Sequence, residues 1–217
     1  MSAAIDMRPS PPPALAHVRR LRASPRLAAA LLAGLAGAVL LGQGAYMQLK
    51  AVLAQILLDR AFAATIATGA ATKPWQWADT WPVARIDVPR LGARRIALAG
   101  TSGQAMAFGP GHHEQSVEPG EPGTAIYAAH RDTHFAFLAD VVAGDEIRVT
   151  RRDGRQVRFR VTGSEVVRWD RSGIDPQTGP PRIALVTCWP LEGKVQGPLR
   201  YVVHGVLITA DVAAAAE

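Results

Sequence analysis

The sequence of 217 residues is poor in several residue types that usually indicate a fold or a function. It contains a single cysteine, Cys188, so no disulfide can form within the chain. Aromatic residues make up only 6%. No internal repeat is visible, and a repeat architecture is therefore not expected. Apolar residues reach 48%. The length therefore suffices for one domain with a hydrophobic core and an additional segment, but hardly for two domains.

Charge is missing from one long stretch, Leu27–Met47, which has no Asp, Glu, Lys or Arg. As a helix with a rise of about 1.5 Å per residue it reaches roughly 30 Å, the thickness of the hydrocarbon core of a bilayer. The run is longer than the apolar region of a usual signal peptide, and no clean small-x-small cleavage site follows it. The pattern therefore favours an uncleaved transmembrane anchor over a cleaved signal peptide.

Acidic residues are nearly absent before this stretch, where five arginines stand against Asp6 alone. This tail carries +4 of the formal net charge of +6, so the rest of the chain is close to neutral. The positive-inside rule predicts a single-pass anchor with a cytoplasmic N-terminus and an exported, extracytoplasmic domain. A nearly neutral domain gives little support for a nucleic-acid partner, and we expect none.

Export would change the meaning of the lone thiol, because structural cysteines in an oxidising compartment normally come in pairs. Cys188 ends the apolar run RIALVTC and precedes Trp189 and Pro190. It is either an inert buried hydrophobe or a thiol kept for chemistry.

The chain divides into four predicted segments, which are a basic cytoplasmic tail (1–26), the anchor (27–47), an amphipathic stalk and linker (48–74) and a globular domain (75–212). In the stalk, apolar residues recur at helical spacing. This stripe leans either on the domain or on the membrane surface, and it consists of Leu49, Val52, Leu53, Ile56 and Leu57.

Short apolar or alternating runs separated by Gly, Pro and Asp predict that the globular domain is mostly β. The pair Asp153–Gly154 favours a tight hairpin, and the spacers TSGQAMAF and THFAFLAD are long enough only for short helices. Seven or eight strands in about 130 residues indicate a closed or nearly closed barrel. The predicted strands are 84–88, 94–99, 124–129, 145–150, 157–167, 182–187 and 199–208.

Three side chains at predicted strand ends could act together. A thiol is nucleophilic only as the thiolate, so Cys188 would need a histidine or a cation nearby. His130 ends the run TAIYAA, as Cys188 ends RIALVT, and Arg200 lies on a later strand where its guanidinium could stabilise an oxyanion. Taken singly, a strand-end histidine and an exposed strand arginine are more often structural.

Two other functions fit parts of the sequence. A metal-dependent hydrolase could use His130 and His134 with His112, His113 and Glu114, although the first pair straddles a strand end and a turn instead of sharing a helix face. A membrane-tethered β domain that only binds a partner, or a degenerate enzyme, fits the composition equally well.

The motifs AAHRDTHF (128–135), LVTC (185–188) and LRYVV (199–203) resemble the histidine, cysteine and arginine motifs of sortases, the membrane-anchored cysteine transpeptidases of bacterial surfaces. The resemblance spans about 75–210, and the order His, Cys, Arg and the N-terminal anchor match too. It is strongest to the class D-like and E-like forms and to a branch from Gram-negative marine proteobacteria.

This resemblance implies an eight-stranded sortase barrel in which Cys188 cleaves an LPxTG-like motif through a thioester. His130 would act as general acid and then base, and Arg200 would hold the substrate and stabilise the oxyanion. The implied partners are a membrane protein with a C-terminal sorting signal, an amine acceptor and the lipid bilayer. No metal or cofactor is implied.

The motif neighbours Thr187, Ala129 and Trp189 are expected to contact the substrate. Many sortases have a threonine where this chain has Ala184, and a glycine where it has Ala129. These departures make the substrate details of the site an open question, as does the loop at 168–181, where the family places part of its specificity.

Overall fold

The computed structural model describes residues 25–193 and 197–208. It divides the chain into two compact units, 1–47 and 48–217. Most of the predicted basic tail lies outside the described residues.

A single helix, α1 (Pro25–Thr68), begins in the first unit and ends in the second. Its apolar first part, including the predicted anchor at 27–47, is exposed along nearly its whole length. Among the described residues, α1 is the one helix long and apolar enough to cross a membrane. It is therefore a candidate membrane anchor.

Within the second unit, the C-terminal part of α1 packs on the barrel. Leu58 and Phe62 are buried there against Ile96 and Leu98, and Gln55 Nε2 donates a hydrogen bond to the carbonyl of Phe108 at 2.8 Å. The buried side of the helix consists of Ala54, Leu58, Ala61, Phe62 and Thr65.

The apolar stripe predicted from helical spacing is not the side that packs on the barrel. Leu49, Val52, Leu53 and Ile56 are between 44% and 71% exposed. The packed side combines small residues with two large ones, so its summed hydrophobicity is lower than that of the stripe. Of the two surfaces predicted for the stripe, the structure excludes the domain, and the membrane surface stays a prediction.

This difference gives a stability prediction with a matched control. Phe62→Ala should lower the free energy of unfolding by about 3 kcal/mol, because truncation leaves a cavity against the barrel. Val52→Ala removes an exposed side chain from the same helix and should stay within about 0.5 kcal/mol of wild type. Urea unfolding of the full chain in detergent measures both. Equal effects of the two substitutions would contradict the packing described here.

The second unit is a closed barrel of eight strands, which confirms the predicted fold class. The order around the barrel is β1-β2-β3-β4-β7-β8-β6-β5. The pairs β2–β3 and β4–β7 are parallel and the others are antiparallel. The strands are β1 (Pro82–Val88), β2 (Ala93–Ala99), β3 (Gly111–His112), β4 (Thr124–Ala128), β5 (Glu146–Arg151), β6 (Gln156–Arg168), β7 (Arg182–Cys188) and β8 (Leu199–Leu207).

The connections agree with the predicted short spacers. Helix α2 (Gly103–Phe108) follows β2, and two single-turn 3₁₀ helices lie at Pro89–Leu91 and Ala136–Asp140. Between β5 and β6, Gly154 N donates to Arg151 O and has φ of +82°. The predicted tight hairpin is therefore a three-residue turn whose last position requires a left-handed conformation, which favours glycine.

The barrel is filled by one apolar cluster that alternates along the strands with outward-facing residues. Strand β3 has only two residues, too few to show any alternation, and it is the strand that sequence patterning did not locate. The largest fully buried side chains of this cluster are Ile86, Val88, Tyr127, Phe135, Leu138, Ile147, Val149, Phe159, Ile183 and Leu185.

Candidate active site

The candidate site lies where β4 and β7 end beside each other. The two strands run parallel with Ala128 opposite Val186, and Ala129 N extends the pairing by donating to Val186 O at 3.1 Å. His130 lies two residues after Ala128, and Cys188 lies two residues after Val186. The register therefore brings the predicted imidazole and thiol to the same rim of the barrel.

Strand β8 adds the third predicted side chain, because Arg200 pairs directly with Cys188 in the antiparallel β7–β8 ladder. Leu185 and Val203 face the core, so the alternation of side chains places Cys188 and Arg200 together on the outer face. The thiol is free and partly buried.

The guanidinium of Arg200 is turned toward the loop that precedes β8. Its Nη1 donates to the carbonyls of Gly197 and Leu199, both at 2.8 Å. Its Nε and Nη2 groups have no hydrogen-bond partner among the described residues. A planar guanidinium with unused N–H donors can bind a carbonyl oxygen or a developing oxyanion.

His130 is exposed and begins a tight turn, closed by a hydrogen bond from Phe135 N to His130 O at 3.1 Å. The end of this turn is fixed to the barrel. Arg95 Nε of β2 donates to His134 O at 3.1 Å, and His134 Nε2 donates to Ala107 O at 3.3 Å. The imidazole of His130 is therefore accessible, whereas that of His134 anchors the turn.

Burial lowers the pKa of His134, the hydrogen bond to the Ala107 carbonyl opposes this effect, and the positive charge of Arg95 lowers the pKa further. A neutral imidazole still carries one N–H, which can remain at Nε2 and donate to the Ala107 carbonyl. The backbone oxygen of His134 accepts from Arg95 at the same time. His134 therefore has a structural place beside the site.

Thr187 and Ala129, two of the residues expected to contact substrate, are buried and joined to each other. Thr187 Oγ1 donates to Ala129 O at 2.8 Å. The third, Trp189, stacks on Tyr201 with ring centroids 5.9 Å apart. The hydrogen bond clamps β4 to β7 just before His130 and Cys188, whereas contact of these side chains with substrate stays a prediction.

Two of the five donors of the alternative metal site, His112 and His134, form other hydrogen bonds. His112 Nε2 donates to Val117 O at 3.1 Å, and burial lowers the pKa of its ring. His134 is bonded to α2 as described. In the part of the chain that the structure describes, no three His, Cys, Asp or Glu side chains are grouped as metal ligands.

Two residues near the site were not predicted from the sequence. Arg131 Nη1 donates to Pro190 O at 2.8 Å, and Arg95 holds the histidine turn from β2 with its guanidinium 5.8 Å from the centre of the Phe137 ring. Arg131 stands next to His130 in the motif HRDTHF, which was the available signal. Arg95 is distant in sequence and carried none.

Comparison with known proteins gives one family. The family model for the sortase domain matches residues 86–208. Sortase D of Bacillus subtilis is 27% identical over 125 residues, which cover 57% of this chain and 63% of that protein, so the chain spans less than two thirds of that relative's length.

Solved structures of the same family share the fold. Sortase A from Corynebacterium diphtheriae aligns with a TM-score of 0.55 and 26% identity, covering 64% of this chain and 66% of its own. A sortase D5 transpeptidase from Clostridium perfringens aligns with a TM-score of 0.59 and 19% identity, covering 73% of this chain and 99% of its own.

Proposed function

The chain belongs to the sortase family, and from that premise we propose that it is a cysteine transpeptidase whose nucleophile is Cys188. The observation that carries this proposal is the strand register, which brings His130, Cys188 and Arg200 to one rim of the barrel. A nucleophile, a proton carrier and a cation are the three groups that an acyl transfer through a thioester needs.

The first half-reaction begins from the thiolate of Cys188 and a protonated His130, formed by transfer of the thiol proton to the imidazole. The sulfur then attacks the carbonyl carbon of a peptide bond. The new C–S bond forms as the carbonyl becomes an oxyanion, which Arg200 stabilises with its unused donors. The C–N bond then breaks, and His130 gives its proton to the departing amine. The products of this step are a thioester on the enzyme and a free downstream peptide.

In the second half-reaction, an amine attacks the thioester carbonyl and gives its proton to His130. The C–S bond breaks and the thiolate of Cys188 leaves, which restores the starting protonation of the pair. A thioester suits this exchange because it is reactive enough for an amine to displace the sulfur. Dividing one amide exchange into two steps avoids a direct attack of one amine on another amide.

The proposed donor is a membrane protein that carries an LPxTG-like sorting signal near its C-terminus. The apolar first part of α1 would hold the enzyme in the cell (inner) membrane as a single-pass protein, with its N-terminus in the cytoplasm and the barrel on the periplasmic side. Donor and enzyme would then share a bilayer, and the acceptor would be an amine on that outer side.

The proposal is tested by trapping the intermediate. The full chain in detergent is mixed with an LPxTG-like peptide, and intact-mass spectrometry should show an adduct on Cys188 equal to the N-terminal peptide fragment less one water. Hydroxylamine should release the adduct, and an added amine should convert it to the amide product. A peptide of scrambled sequence is the control. Equal adducts with both peptides, or no adduct with either, would refute the proposal.

A further inference from the structure

We propose that Arg131 is a positioning residue, which holds the His130 turn and the loop that follows Cys188 in register across the rim. This inference rests on the function proposed above. It starts from one contact, in which Arg131 Nη1 donates to the carbonyl of Pro190 at 2.8 Å. The donor follows His130 by one residue, and the acceptor follows Cys188 by two.

Two hydrogen bonds bracket the reactive pair. On the barrel side, Thr187 Oγ1 donates to Ala129 O at 2.8 Å, one residue before each reactive side chain. On the rim side, beyond the last paired residues of β4 and β7, the bond from Arg131 to Pro190 joins the segment after β4 to the segment after β7 a second time. The last pair of β4 and β7 is Ala128 with Val186, and the last backbone bond between them runs from Ala129 N to Val186 O. Beyond that point no β4–β7 ladder fixes the thiol relative to the imidazole.

The other anchors of the histidine turn do not perform this task. Arg95 fixes His134 O to β2, and His134 fixes its own ring to α2. Both hold the far end of the turn, and neither reaches the loop that follows Cys188. The Pro190 carbonyl, in contrast, also accepts from Gly193 N at 3.1 Å, so it belongs to an ordered turn and offers Arg131 a fixed acceptor.

A small displacement matters here because proton transfer and thiol attack require closely defined geometry. A misplacement of about 1 Å in a reactive pair can cost about 100-fold in rate. Arginine suits the position because its long side chain spans the gap between the two loops and its guanidinium stays protonated at all working pH values. The bond therefore acts on the rate of the chemical step and not on substrate affinity.

The test compares Arg131→Met, Arg131→Lys and Arg155→Ala in the full chain. Methionine keeps much of the length but has no donor, lysine restores a donor, and Arg155 is a 70% exposed arginine ion-paired to Asp153 in the β5–β6 turn, far from the rim in sequence. We expect Arg131→Met to lower kcat for peptide cleavage at least about tenfold with KM within about threefold. Arg131→Lys should recover part of the loss, and Arg155→Ala should lose none.

A second readout does not depend on peptide turnover. The rate at which iodoacetamide alkylates Cys188 is measured from about pH 6 to about pH 9, around the ordinary thiol pKa. The profile of Arg131→Met should move from that of wild type toward that of His130→Ala, because the first change displaces the imidazole from the thiol and the second removes it.

The outcomes separate this inference from the function on which it rests. Wild type without turnover would refute the proposed function. Wild type with turnover, together with Arg131→Met within twofold of its kcat and with an unchanged alkylation profile, would overturn the positioning role alone. Unfolding of Arg131→Met would overturn it as well, because the role assigned to this bond is confined to the rim.

Discussion

Replacing Cys188 with alanine should abolish transpeptidation while leaving the barrel folded. The substitution removes one partly buried sulfur at the end of β7, and we expect at most about 1 to 2 kcal/mol of lost stability. Activity should fall below detection, because no other residue at the rim can form the thioester. Amine transfer onto the sorting peptide and a thermal unfolding curve measure the two effects.

Cys188→Ser provides the matched control for this substitution. It keeps the size and polarity of the side chain but replaces the thiol with a hydroxyl that is far less acidic and, at this site, far less nucleophilic. Both variants should therefore be folded and inactive. If either continues to join peptide to amine, another group is the nucleophile and the mechanism proposed above is wrong.

His130→Ala should lower kcat/KM by a factor of at least 10² to 10⁴, roughly the range for proton transfer by a positioned side chain. The imidazole is exposed at the rim and begins the turn beside Cys188. Its loss would remove both the acid that protonates the leaving amine and the base that accepts the proton of the incoming one. Steady-state cleavage of the sorting peptide, with a folding check, gives the measurement.

His134→Gln is the control, because this histidine lies four residues later and is bonded to Ala107 O. A glutamine amide can still donate to that carbonyl, so kcat/KM should stay within about tenfold of wild type, or roughly 1.4 kcal/mol of barrier. Equal losses at the two histidines would contradict the assignment of roles.

The lowered pKa of His134 also predicts an effect of pH on stability. A group whose pKa falls on folding contributes stability above its unfolded pKa, about 6.5 for histidine. That contribution is lost as pH falls through the folded pKa, because the unfolded chain then binds the additional proton. His134→Gln should therefore lose less stability than wild type below about pH 6.5, a difference that urea unfolding across this range would detect.

The fold class could be predicted from the sequence because it depends on local patterns. Alternating apolar runs predicted seven of the eight strands, and their bounds differ from the observed ones by at most two residues. Asp153 and Gly154 predicted the hairpin because a left-handed position after a turn favours glycine. Strand β3 could not be predicted, because two residues cannot show a period.

The residues of the candidate site could also be predicted in part from the sequence. Cys188 and His130 end apolar runs before polar loops, and that position is a property of the sequence. That the two runs are neighbouring parallel strands is a property of the closed barrel, because β4 and β7 are separated by two strands in the chain. Pairing between distant strands depends on the whole set of ladders. β7 and β8 are consecutive, but no short turn sets their register, so only the structure shows Arg200 opposite Cys188.

The roles of the side chains that hold the rim could be identified only from the tertiary structure. Arg131, Arg95 and Thr187 each bond to a backbone carbonyl on another element, and no spacing in the sequence indicates such a partner. The same holds for α1, whose apolar stripe left open whether it packs on the domain or on the membrane surface, while the complementary surface on the barrel selected a different face of the helix. Local composition by itself determined the long apolar segment, the short strands and the lone thiol. Shape and hydrogen-bond complementarity between elements decided which surfaces meet, because those depend on residues that are far apart in the chain.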